Sequence, residues 1–342
     1  METRRPGVNY REVHQNAIVY DAVCPLANER EESIDDWIAG GATVIAPTLG
    51  GPTDMPAAMH SISSWYEKLR RRSDELLLVT KAEDMAKAKD EGKLGIIFHF
   101  QGTRPIGRDL GLIEVYYKLG VRIMQLTYNV KDFVGDGCEE PGDGGISEFG
   151  KRVIQEMNRV GMVVDLSHTG RRTTLEAMDV STSPCVFSHS NCNSIFRSNR
   201  NIDDEQIKAV AAMGGVIGVN FYPNVVSNNK PQSTQGNLLA HVDRLADLAG
   251  VEHIGFGGDY FGGQHPYSTL EEAEKTYRGW VDSGLWNPET YPPPPYVYPD
   301  GLETPDKLEN FTRMLIEHEY SEDEVHKILG ANFMRVYQEV WK

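Results

Sequence analysis

The chain has 342 residues, with 34 Lys and Arg against 50 Asp and Glu, so the net charge is −16. That acidic balance argues against a nucleic-acid groove or an anionic membrane surface as the main partner. Hydrophobic residues make up 40%, enough for a large core, and no run approaches the roughly 18 apolar residues of a membrane span. Four cysteines without a CxxC pair exclude a disulfide scaffold. The polar stretch Met1 to Val13 lacks the apolar region of a secretory signal, so a cytoplasmic location is expected.

Short apolar runs recur, each closing on a polar residue. In chain order they are Ile18–Asp21, Thr43–Thr48, Gly95–Gln101, Val121–Asn129, Met162–His168, Cys185–His189, Val216–Tyr222 and His253–Asp259. Rich in Val, Ile and Phe, they read as eight strands buried on both faces. Helical periodicity lies between them at Met55–Arg72, Leu110–Leu119, Ser147–Val160, Asp203–Ala212 and Leu238–Ala249. Ser147 and Asp203 stand where N-caps belong, and Gly161 and Gly250 where C-caps belong. The alternation predicts a (β/α)8 TIM barrel, with a doubly wound open sheet as the alternative; no GxGxxG follows the first strand. Residues 1–342 read as a single barrel domain. Pro292 to Pro295, Pro299 and Pro305 mark 287–305 as an extended surface loop, and Leu308–Trp341 as helices closing the barrel's end.

A barrel's active site lies at the C-terminal ends of its strands. Those ends are Asp21, Thr48, Gln101, Asn129, His168, His189, Tyr222 and Asp259, a polar ring above an apolar core. Strand alternation puts Ile97, His99 and Gln101 on one face, and Val164, Leu166 and His168 on one face. His168 and His189 end neighbouring strands, a placement that suits two imidazoles converging on one metal, zinc first, with iron, nickel or manganese open. Asp259, in Gly257-Gly258-Asp259, suits a metal ligand or a base for an attacking water. Arg200 presents a fork for a substrate carboxylate, unless it pairs with Asp203 or Asp204. Gly135–Gly145 lacks the lysine of a phosphate loop and reads as a loop able to cover the site; Trp280 and Trp286 suit a lid or a subunit contact.

Several of these residues stand in motifs. Val164-Asp165-Leu166-Ser167-His168, Phe187-Ser188-His189-Ser190, Asn199-Arg200-Asn201, Val219-Asn220-Phe221-Tyr222, Gly255-Phe256-Gly257-Gly258-Asp259 and Ile328 to Val336 resemble, in order, the membrane (renal) dipeptidase family of zinc peptidases. The resemblance implies an amidohydrolase-like barrel with a two-zinc site that hydrolyses dipeptides and related amides. It implies that His168 and His189 bind the second metal, that Asp259 handles the proton of the catalytic water, and that Arg200 holds the substrate carboxylate. Tyr222 and Asn129 match positions near the substrate, and a homodimer is implied. Other positions depart: the two first-strand ligands align with Val23 and Pro25, the bridging glutamate with Gln101, and a substrate-side histidine with Tyr128. Asp21, or Cys24 as a thiolate, would restore a ligand in another register.

The expectation is therefore a hydrolase with one divalent metal, its ligands being His168 and His189 with Gln101, His99 or Asp259 as a third, acting on a small carboxylated amide, lactam or dipeptide-like substrate. The alternatives are a lyase, isomerase or decarboxylase acting on a small acid by proton transfer, using Arg200, Asp259, Tyr128 and Tyr222, or a non-catalytic binding relative.

Overall fold

The computed structural model describes residues 8–228 and 232–342. Its strands, in chain order, are β1 (Tyr20–Asp21), β2 (Val44–Ile45), β3 (Thr48–Gly50), β4 (Leu76–Leu78), β5 (Leu94–Ile96), β6 (Phe98–Phe100), β7 (Val121–Gln125), β8 (Val163–Asp165), β9 (Val186–Phe187), β10 (Val216–Asn220) and β11 (Ile254–Gly257). Every pairing is parallel. One ladder runs β1-β2-β5-β4 and the other β11-β10-β9-β8-β7-β6-β3. They are halves of one α/β barrel. Two staves are each split: β2 and β3 flank Ala46-Pro47, where proline has no N–H for the ladder, and β5 and β6 flank Ile97, whose N–H donates to Ile45 O at 2.9 Å. On the far side, Ala22 N–H donates to Phe256 O at 3.2 Å, joining β1 to β11.

The eight expected strands are all present, and the sheet adds a ninth segment, β4, which pairs only with β5. Ser147 and Asp203 do cap their helices through their side chains, and Gly161 ends its helix at φ 88°. The unforeseen helices are mostly short, Pro25–Glu29 and Ile34–Ala39 among them, too brief to show a period.

The barrel interior is layered. Tyr20, Ala22, Val44, Ala46, Ile97, Ile123, Val163, Val186 and Val216 fill its N-terminal end and pack on Phe333, Val336, Tyr337 and Val340 of the helix Asn332–Val340, which plugs that end. Tyr20 and Tyr337 share a hydroxyl contact of 2.8 Å there. One layer up, the inward positions turn polar: His99, Gln125 and Asp165 are fully buried. Val164 and Leu166, by contrast, face the outer core with Phe98, Phe100 and Met124. His168 is thus not brought inward by strand alternation. β8 ends at Asp165, and His168 reaches the interior through a left-handed turn, φ 60°.

Helix Leu270–Asp282 leads into residues 283–304, a stretch without helix or strand. Instead of lying over the surface, it buries Tyr291, Tyr296 and Tyr298. Prolines keep that backbone extended with fewer N–H groups to satisfy, and the tyrosines between them turn inward. Among the described residues no helix is long and apolar enough to cross a membrane.

Candidate active site

The strand ends and the loops beyond them enclose a cavity of about 240 Å³. Gln101, Tyr128, His168, Arg200, Tyr222 and Asp259 all line it. His189 lies against it through His168: the two Nε2 atoms are 2.9 Å apart. Two glycines let the neighbouring strands close on the backbone that carries His189. A Cβ on Gly218 would stand 2.0 Å from Ser188 O, and one on Gly257 2.4 Å from the same oxygen and 3.0 Å from His189 Cβ.

The hydrogen bonds around the histidines fix their protons. Asn129 donates its Nδ2 to Leu285 O at 2.9 Å, so its Oδ1 faces His168 Nδ1 at 2.7 Å as an acceptor. His168 therefore carries its proton on Nδ1. Asp165 accepts from the backbone N–H groups of Ser167 and Ser188, from Ser188 Oγ at 2.5 Å and from His99 Nε2 at 3.1 Å. Burial alone would raise its pKa, yet the hydrogen bonds from His99 and Ser188 hold it well below the usual carboxylate range. With the Ser188 proton committed to Asp165, Ser188 Oγ must accept from His189 Nδ1 at 2.6 Å. His189 is then also an Nδ1–H tautomer. Burial first, then the Arg200 charge, pushes both imidazoles well below the ordinary histidine pKa. Two neutral rings thus point lone pairs at each other, with no proton to share.

This is the donor set of a metal ligand pair, each imidazole oriented through its other nitrogen. The neighbours extend it little. Asp21 accepts from Trp37 Nε1 at 2.9 Å with one oxygen and from Gly258 N–H at 2.7 Å with the other, and lies outside the cavity lining. Cys24 is fully buried, and that burial holds its thiol protonated, which sets aside the thiolate. Val23 is buried and Pro25 starts a helix at the cavity wall. His99 sits a layer below, on Asp165, outside the cavity lining. Among the described residues no three His, Cys, Asp or Glu side chains are grouped to hold a metal ion. His168 and His189 bring two imidazole nitrogens together, and Gln101 reaches the same cavity as a neutral amide.

Arg200 is 3% exposed and has no acidic partner among the described residues. Asp203 pairs with Arg171 and Asp204 with Arg244. Its guanidinium donates to His189 O at 2.8 Å and Ser190 Oγ at 3.2 Å, which leaves N–H groups for a ligand. Asp259 stands at φ 55° and accepts from Asn220 Nδ2 at 3.1 Å. Burial lifts its carboxyl to about 7, against the pull of Arg200 and Asn220, with the Asp21 and Glu29 carboxylates adding to the rise. Asn129, expected at the substrate, has its side chain turned to His168, Leu285 O and the Tyr291 hydroxyl instead. The glycine-rich loop does not cover the cavity. Cys138 N–H donates to His168 O and Glu139 N–H to Asn129 O, so it buttresses both from behind. Asp165 and Ser188 lie inside the motifs, yet sequence reasoning gives them no role; a carboxylate within an otherwise apolar strand is the signal that could have found them.

Residues 19–279 match the membrane dipeptidase family, peptidase family M19. The chain belongs to that family. Dipeptidase tcpJ of Claviceps purpurea (strain 20.1) is 27% identical over 270 residues, covering 78% of this chain and 56% of that protein, so the chain spans little more than half of that relative's length. An amidohydrolase from Pseudomonas aeruginosa superposes with a TM-score of 0.88 at 30% identity, over 98% of this chain and 99% of that one. A metallo peptidase from Rhodobacter sphaeroides, liganded with a phosphinate mimic of the dipeptide L-Ala-D-Ala, superposes with a TM-score of 0.79 over 95% and 100%; at 18% identity it supports the fold alone.

Proposed function

We propose that this M19 protein is a metal-dependent hydrolase with a mononuclear site, acting on a small amide, lactam or dipeptide-like molecule that carries a carboxylate. The observation that carries the reading is the pair of opposed imidazole lone pairs 2.9 Å apart. His168 and His189 would hold the ion. When bound there, a divalent metal supplies a Lewis acid for the amide carbonyl and acidifies water towards a pKa of ~7. The chain's residues do the rest. Arg200 takes the substrate carboxylate in its fork and fixes the amide above the imidazoles. Asp259, whose Oδ2 is held by Asn220, receives the proton of the attacking water at its other oxygen. The water oxygen bonds to the carbonyl carbon, the C–N bond breaks, and Asp259 returns the proton to the leaving nitrogen.

Elemental analysis of the purified protein beside His168→Ala and His189→Ala tests this. About one metal per chain is expected, lost in both variants together with hydrolysis of a dipeptide and lactam panel, with products that have gained water. Two metals per chain would overturn the mononuclear site. No metal in protein supplied with zinc, or turnover without uptake of water, would overturn the reading.

A further inference from the structure

We propose that the cavity selects a carboxylate with a flat apolar group beside the acid, an aryl-bearing amino acid at the carboxyl end of the amide. This rests on the reading that Arg200 binds a carboxylate, and it narrows the substrate class of that site.

Tyr128, Tyr222, Phe261, Trp280, Trp286 and Tyr291 form one wall of the cavity. The rings continue from the metal-side histidine outward. Tyr128 stacks on His168 with centroids 4.3 Å apart and lies 5.8 Å from Trp280. Trp280 and Trp286 are nearly parallel at 5.7 Å, and Trp286 stacks on Tyr291 at 4.7 Å. Two of their polar tips are engaged within the protein. Trp286 Nε1 donates to the Tyr128 hydroxyl, and the Tyr291 hydroxyl donates to Asn129 Oδ1. Much of the lining they leave is ring surface, which favours offset or edge contacts with another ring. Arg200 lines the same cavity without an acidic partner among the described residues, which keeps its fork for the ligand's carboxylate. At about 240 Å³ the space suits a small molecule.

Calorimetric titration of the unmodified protein with N-acetylphenylalanine, N-acetylglycine, N-acetyllysine and the amides of the first two tests the proposal. N-acetylphenylalanine is expected to bind about tenfold or more tighter than N-acetylglycine, and tighter than N-acetyllysine. Trp280→Leu should bring the phenylalanine-to-glycine ratio towards one, and Trp280→Phe should keep it. Equal affinity for the phenylalanine and glycine acids, or preference for the lysine acid, overturns the proposal on the unmodified protein alone. An amide that binds as tightly as its acid overturns the Arg200 anchor instead, and the aryl preference is then read separately between the two uncharged ligands, N-acetylphenylalanine amide and N-acetylglycine amide.

Discussion

Asp165 never meets the cavity, yet it sets which nitrogen of His189 is bare. Its carboxylate takes the Ser188 proton, Ser188 takes the His189 Nδ1 proton, and Nε2 is left free. Asp165→Asn removes that instruction while keeping the side chain's size. The expected result is a shift of His189 towards the Nε2–H tautomer, seen in the nitrogen chemical shifts of the metal-free protein, with metal affinity down about 10–100-fold. An unchanged tautomer would show that Asp165 only packs. Asp259 makes a second test, through pH. Its folded carboxyl titrates at about 7 against an ordinary value of 3.8. Between those values the folded chain keeps a proton that the unfolded chain has shed, so stability falls as pH rises through that window. In chelator-treated protein, Asp259→Asn should raise the Tm well above that of the parent at about pH 8 and far less at about pH 4, where both forms are neutral. A Tm gain equal at both pH values would mean that the carboxyl titrates normally.

At the scale of elements, the site depends on how closely β9, β10 and β11 approach. Gly218 and Gly257 bring their backbones against Ser188 O. Gly218→Ala is expected to cost about 1–3 kcal/mol or more, because a backbone oxygen has to move. Gly279 is the control: it lies within helix Leu270–Asp282 with nothing near its Cβ position, so Gly279→Ala should gain up to about 1 kcal/mol. Urea unfolding of the two variants checks both signs, and a neutral Gly218→Ala would mean that the strands have slack. Much of this level was legible in the sequence. Apolar runs ending in polar residues marked the staves, and Ser147, Asp203 and Gly161 marked helix ends, because caps and strand burial are local chemistry. The inward face of β8 was not legible. Alternation names two faces without saying which is inside, and the turn at His168 reverses the inference that its parity suggests. Likewise Asn129 reads as a strand-end donor to substrate, and only the three-dimensional position of Leu285 O reveals that it is pinned.

At the scale of the whole molecule, the barrel is stoppered by Asn332–Val340 at one end and opens at the other into the cavity. His168, His189, Arg200 and Asp259 were visible as a set because barrel topology gathers the strand ends and the loops that leave them. The aromatic wall was not visible as a unit, because its rings come from strand ends, from helix Leu270–Asp282 and from a proline-rich segment beyond it whose fold obeys no period. That segment holds both sides of the chemistry at once. Tyr291 bonds to Asn129, which holds His168, and Tyr298 donates to the carbonyl of Asp259. A ligand pressing on the wall therefore presses on the proton-carrying carboxyl and the metal-side imidazole together. Small substrates that leave the wall untouched would forfeit turnover rate as well as affinity, since the energy of a remote contact helps to place the reacting groups.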